Sequence, residues 1–169
     1  MACRTAIALG SNLGDRLAHL QAARDRLQQL ALPGDAFLQA SIYQTAPVAC
    51  PDDSPDFLNT VVEFSYPGSP SELLAHTQSI ELALGRVRDG TPNAPRTLDL
   101  DLLYFGDQQI HLPQLELPHP RLAQRRFVLE PLAEIRPDLI IPGQSQTTRH
   151  LLTTLPSSEA PLEKQHSRW

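Results

Sequence analysis

Leu98 to Leu102 alternates apolar and acidic residues, Leu-Asp-Leu-Asp-Leu, and no other segment constrains this chain more. In an extended strand successive side chains point to opposite faces, so Leu98, Leu100 and Leu102 face one way while Thr97, Asp99 and Asp101 face the other. The leucines demand an apolar layer over one face of a sheet. Asp is depleted in strands, so two on the other face need a reason. Their carbons lie about 7 Å apart along such a strand, which lets both carboxylates turn onto one or two hard cations. The competing reading is a half-exposed strand with a solvated acidic face.

The flanking segments say what sheet this strand joins. Thr5 to Leu9 reads as a short buried strand ending at Gly10, after which Ser11, Asn12 or Asp15 can cap a helix. That helix carries Leu13, Leu17, Leu20, Leu27 and Leu30 at helical spacing and stops at Pro33-Gly34. Leu38 to Tyr43 and Leu58 to Tyr66 have strand character, and they bracket a long loop, Gln44 to Phe57, stiffened by Pro47, Pro51 and Pro55. Ser69-Pro70-Ser71-Glu72 is a capping box with proline at the first helical position, and it opens a helix through Leu84 that Gly85 can close. Glu81 lies near the C-terminal end of this helix, where the dipole disfavours a carboxylate, so it calls for a cationic partner. A second loop, Arg86 to Arg96, leads into the acidic strand. A hairpin over Gln109 to Leu117, a loop with His119, Arg121, Arg125 and Arg126, and a short packed helix over Phe127 to Ile135 complete the reading.

The order strand, helix, strand, strand, helix, strand is the split βαβ pattern. It predicts an α+β, ferredoxin-like fold: an antiparallel sheet with both helices on one face and long loops around the site. A length of 169 residues suits one domain, expected over 1–156, with a poorly ordered tail over 157–169. The net charge of −5 argues against a surface built for nucleic acid but leaves room for a local cluster of arginines. Cys3 and Cys50 are too few for a disulfide framework or a cysteine-rich zinc site, which fits a reducing, cytoplasmic setting. The apolar run Ala6 to Leu9 is too short for a signal peptide and no later run approaches a membrane span, so the expectation is a soluble protein without membrane contact.

Arg86, Arg88 and Arg96 precede the acidic strand and Arg125 and Arg126 follow it, with His119 between. Two carboxylates on a rigid strand with guanidiniums on nearby loops suit a polyphosphate whose oxygens bridge a metal and arginine. The alternative is that these arginines are solvated or paired with Asp99, Asp101 and Glu81. No Walker A pattern and no Gly-x-Gly-x-x-Gly after a strand is present, and hydrolytic or zinc motifs are missing. Thr45, Phe57 and Asn59 offer a hydroxyl, a ring and an amide, and Phe127 can supply a second ring, a combination that suits a flat heterocycle. For the two rings the plainer reading is core packing.

Seven segments resemble one family: Ala8-Leu9-Gly10-Ser11-Asn12-Leu13-Gly14; Tyr43-x-Thr45-x-Pro47; Phe57-Leu58-Asn59; Glu81-x-x-x-Gly85-Arg86-x-Arg88; Pro95-Arg96-Thr97-Leu98-Asp99-Leu100-Asp101; Pro118-His119-Pro120-Arg121; and Arg125-Arg126-Phe127-Val128-Leu129-x-Pro131-Leu132. Together they are similar to the 6-hydroxymethyl-7,8-dihydropterin pyrophosphokinases of folate biosynthesis. The resemblance implies transfer of a diphosphate from ATP to the hydroxymethyl oxygen of the dihydropterin, with release of AMP; the chain is expected to act as a monomer. It also implies roles. Asp99 and Asp101 would bind two Mg²⁺ ions, and Arg86 and Arg96 would neutralise charge during transfer. Glu81, Arg88, Arg96, Leu102, His119 and Arg125 would form the nucleotide site. Thr45, Ala46, Val48, Phe57, Asn59 and Phe127 would hold the pterin, with the two rings stacking on it. Asn93 stands where family members often carry an aromatic, Ala46 replaces a proline and the first loop is one residue longer; these differences bear on loop closure. The runner-up is a non-catalytic nucleotide or polyphosphate sensor with the same binding groups.

Overall fold

A computed structural model describes residues 1–47, 50–156 and 162–169. Among them the elements run β1 (Cys3–Ser11), α1 (Arg16–Leu30), β2 (Leu38–Gln39), β3 (Ile42–Thr45), β4 (Phe57–Tyr66), α2 (Pro70–Ala83), β5 (Asp99–Phe105), β6 (Ile110–Leu112), β7 (Leu115–Leu117), α3 (Arg126–Ile135), α4 (Thr148–Thr153) and β8 (Glu163–His166). The main sheet has the order β5-β1-β4-β3-β8, with β2 also on β4, and every pairing is antiparallel. β6 and β7 form a separate hairpin.

Local chemistry accounts for the first two helices. Asp15 caps α1 by accepting from the Ala18 N–H at 3.1 Å, so the helix starts after Leu13, which is 39% exposed and outside the stripe expected for it. Leu20, Ala23 and Leu27 form the buried stripe instead. In α2 the capping box is complete: the Glu72 N–H donates to Ser69 Oγ at 3.2 Å and the Ser69 N–H to Glu72 Oε2 at 2.9 Å. Gly85 takes φ of +92° just past the helix, a conformation that costs glycine little.

Both helices cover one face, where Leu20, Leu27, Leu73 and Ile80 meet Ile7, Leu9, Leu98, Leu100, Leu102 and Phe105 in one buried cluster. The opposite face is also covered. There Val128, Leu129 and Leu132 of α3 and Leu151 of α4 pack on Ala6, Val61, Leu103 and Tyr104. The domain therefore has three layers, and all ten residues of β4 are buried because it lies at the centre with helices on both sides.

The alternation expected for the acidic strand holds as far as Leu102. Then Ile7 pairs with Leu102 and Ala6 with Tyr104, leaving Leu103 as the extra residue of a bulge. Leu103 and Tyr104 consequently both serve the α3 face.

The predicted strand over Leu38 to Tyr43 is split into β2 and β3, each paired with β4. The expected disorder after Pro156 is corrected for 162–169. There β8 pairs with β3, the Trp169 indole donates to the Ala40 carbonyl at 2.8 Å, and Arg24 lies over the indole ring at 5.0 Å. Glu163-Lys164-Gln165-His166 lacks apolar alternation, because an added edge strand needs only backbone partners.

Candidate active site

The geometry starts from register. Asp99 and Asp101 on β5 lie opposite Gly10 and Ala8 of β1, and on the other side of β1 those residues face Asn59 and Val61 of β4. Small residues on β1 thus leave room between the acids and Asn59. A Cβ on Gly10 would come within 2.7 Å of Asn59 Oδ1, so glycine is required for this approach. Asn59 donates to Thr45 Oγ1 at 2.7 Å, and both are buried. That bond orients the amide and leaves its oxygen and the Thr45 hydroxyl proton for a ligand.

A cavity of about 240 Å³ opens above this pair. Thr45, Ala46, Phe57, Asn59 and Phe127, the residues expected around a pterin, line it together with Cys50, Asn93, Arg96, Asp99, Arg121, Gln124 and Arg125. Each ring carries a guanidinium: Arg96 lies 5.1 Å from the Phe57 centroid and Arg125 lies 5.4 Å from that of Phe127. Val48 falls outside the described residues.

A second cavity, about 590 Å³, is lined by Arg86, Arg88, Asp99, Asp101 and His119, by the loop 87–95, and by the same Asn93, Arg96, Arg121 and Arg125 that border the first. The two spaces meet at Asp99. One carries two rings, an amide and a hydroxyl beside its arginines; the other is rich in arginine and holds both carboxylates.

The charges are unevenly satisfied. Asp99 accepts from Arg86 at 2.8 Å and from Arg96 at 3.4 Å. Glu81 lies beneath them, 4% exposed, bonded to Arg86, to Arg88 at 3.4 Å and to the Leu100 N–H at 3.0 Å. Burial raises its pKa above the ordinary carboxylate range, against the pull of that N–H and of Arg86. Burial alone would lower the Arg86 pKa, but Asp99 and Glu81 outweigh it and hold the guanidinium firmly charged. Asp101 is the exception: it accepts no hydrogen bond and makes no ion pair among the described residues. Burial first, and then the neighbouring Asp99 charge, raises its pKa to about 7. Two adjacent carboxylates, one without a bonded counter-charge, are a donor set that suits a hard divalent cation also held by phosphate oxygens.

His119 has a defined tautomer. Its Nδ1 accepts from the Arg121 N–H at 3.1 Å, so in the neutral ring Nε2 carries the proton. Burial, Arg125 and Arg121 all hold its pKa below the usual histidine value, which makes it a neutral donor.

Three sequence assignments change. Leu102, expected at the nucleotide, is 4% exposed in the apolar core and borders neither cavity, because the strand alternation turns it to the helix side. Glu81 supports arginines from below and lines neither space. Arg126, counted among the flanking arginines, is engaged by Glu130 one helical turn on at 3.0 Å, and Arg121 borders both cavities instead. Arg121 stood in the His119 motif without a role; it is exposed and directly precedes the turn Leu122–Gln124.

Residues 6–137 match the family described as 7,8-dihydro-6-hydroxymethylpterin-pyrophosphokinase (HPPK). The chain belongs to this HPPK family. A relative from Pseudomonas aeruginosa, a 2-amino-4-hydroxy-6-hydroxymethyldihydropteridine pyrophosphokinase, is 44% identical over 140 residues, covering 82% of this chain and 84% of the relative. One of the same description from Bacillus subtilis is 48% identical over 129 residues, covering 76% and 75%. Among solved structures, wild-type Plasmodium falciparum HPPK-DHPS with pteroate superposes with a TM-score of 0.71 at 14% identity, a likeness of fold. That match covers 90% of this chain, which spans 44% of the longer one. The match to the HPPK family takes in β1 through α3 and so contains both acids and both rings.

Proposed function

We propose that this chain is a pyrophosphokinase of folate biosynthesis, a reading carried by its family and by relatives of that description. It transfers the β,γ-diphosphate of ATP to the hydroxymethyl oxygen of 6-hydroxymethyl-7,8-dihydropterin. The observation that supports the site assignment is the junction at Asp99, where a ring-lined cavity meets an arginine-lined one. The pterin lies between Phe57 and Phe127, with Thr45 and Asn59 reading its edge and the backbone at Ala46 beside it. The triphosphate lies in the larger cavity along Arg86, Arg88, Arg96, His119, Arg121 and Arg125.

In the transfer the acceptor oxygen bonds to the β-phosphorus as the bond from that phosphorus to the α-phosphate oxygen breaks, releasing AMP and the hydroxyl proton. The chain's contribution is alignment and charge. Arg86 and Arg96, both tied to Asp99, hold guanidiniums where negative charge accumulates, and the neutral His119 donates from Nε2 without adding charge. Asp99 and Asp101 would hold two Mg²⁺ ions, which when bound would neutralise phosphate charge. The enzyme works as a monomer in the cytoplasm, where the thiols of Cys3 and Cys50 stay reduced. No helix among the described residues is long and apolar enough to cross a membrane.

The test is product analysis. With ATP, Mg²⁺ and the hydroxymethyl dihydropterin, one AMP forms per pterin consumed. ADP or free phosphate as the only products would overturn the diphosphate assignment, and ATP persisting after pterin addition would favour the sensor reading.

A further inference from the structure

Asn12 stands in the Gly10-Ser11-Asn12-Leu13-Gly14 segment, whose side chains line neither cavity. It directly follows β1, is 2% exposed, and commits its backbone N–H and both polar atoms of its side chain to two distant loops. Its N–H donates to the Arg96 carbonyl at 3.1 Å and its Oδ1 accepts from the Arg96 N–H at 2.8 Å, so Arg96 is gripped on both sides of its backbone. Its Nδ2 donates to the Pro55 carbonyl at 3.2 Å. The amide orientation is unambiguous, because a backbone N–H only donates and a proline carbonyl only accepts.

These contacts span 84 and 43 residues of sequence. A plain turn asparagine would bond to its own backbone about two residues on. Each grip also leads to a substrate subsite. Arg96 is bonded to Asp99 and lies over the Phe57 ring, while Pro55 is two residues before Phe57 on the loop that ends at β4. Arg16 supports the same loop by donating to the Asp56 carbonyl at 3.0 Å.

We infer that Asn12 is a positioning residue that clasps the ends of both active-site loops, holding Arg96 at the phosphates and Phe57 at the pterin in mutual register. Asparagine suits the task because it presents a donor and an acceptor on one short stem. Aspartate keeps the acceptor and loses the donor; alanine loses both. The inference rests on the pyrophosphokinase reading, which wild-type AMP release tests separately.

The experiment measures kcat and both KM values for Asn12→Ala and Asn12→Asp, with Thr148→Val as a control. Thr148 is also fully buried and bonds the Arg136 carbonyl, away from both loops, so its variant loses a buried hydrogen bond without touching the clasp. Asn12→Ala is expected to lower kcat roughly 10- to 100-fold, the scale of a misaligned reactive pair. Asn12→Asp is expected to raise the pterin KM roughly 10-fold while the ATP KM stays within about 2-fold, because only the Pro55 grip is lost. Thr148→Val keeps wild-type constants. Wild-type constants in folded Asn12→Ala overturn the inference, as do equal losses in Thr148→Val. If Asn12→Ala does not fold, an unchanged pterin KM in Asn12→Asp overturns it.

Discussion

Two acid clusters share one face of the sheet, a single strand step apart, and they are resolved in opposite ways. Glu63 of β4 lies opposite Ala6 of β1, and Asp101 of β5 lies opposite Ala8. Glu63 is fully buried and fully paired: it accepts from Arg4 Nε at 2.8 Å, from Arg136 Nη1 at 2.6 Å and from the Tyr104 hydroxyl. Burial and the Glu63 charge push the Tyr104 hydroxyl pKa far up, so it stays a proton donor. Among the described residues Asp101 has no such shell, and Asp99 beside it is paired from the loop side, by Arg86 and Arg96. A buried acid surrounded by bonded cations belongs to the scaffold. One that lacks them is left open to a counter-charge brought by a ligand.

The largest effect should come from the unpaired acid. Asp101→Ala is expected to reduce AMP release by about 10²–10³-fold or more, while the urea midpoint stays at or above wild type because a poorly solvated carboxyl has been removed. Full turnover in this variant would reduce Asp101 to a strand residue. Glu63→Ala should do the reverse. It leaves Arg4 and Arg136 without their carboxylate, so unfolding free energy should fall by about 3–5 kcal/mol, read from urea melts, with kcat per folded molecule kept. A catalytic loss as large as that of Asp101→Ala would erase the distinction between the clusters.

A smaller effect probes the gap between the acids and the ring-lined cavity. Gly10→Ala puts a methyl against Asn59 Oδ1 and should raise the pterin KM by roughly 10-fold with little change in the ATP KM. Equal changes in both would mean that β1 itself had shifted.

The smallest effect is on pH dependence. Burial, with Arg125 and Arg121, holds the folded His119 pKa below its ordinary 6.5, so the unfolded chain takes up the proton first. Stability from this group is present above pH 6.5 and is lost as pH falls toward the folded pKa. Urea midpoints taken from pH 7.5 down to 5.5 should therefore drop less in His119→Gln than in wild type. Parallel curves would show that His119 titrates as if unfolded.

Much of this arrangement is legible along the chain because its causes are local. The capping box at Ser69, the break at Gly85 and the alternation from Leu98 to Leu102 each depend on residues within a few positions. The two acids and two rings were readable as residue types in motifs. Glu63 was not, since it reads as one more residue of a strong strand until Arg4 and Arg136 arrive from 59 and 73 residues away. The second helical layer was hidden for a similar reason. α4 has only six residues, too few for periodicity, and the bulge at Leu103 that turns Tyr104 toward α3 depends on pairing with β1.

By itself, then, the sequence determined the split βαβ order, the two long loops and the acidic strand, because hydrophobic period, caps and breakers act within a turn or a strand. Only the tertiary structure decided which charges are spent and which remain open. It paired Arg126 with Glu130 and left Arg121 at both cavities, buried Leu102 in the core, and set Asn12 against Arg96 and Pro55. Whether a polar group is satisfied depends on partners brought near by packing, and a linear pattern does not encode their distance or direction.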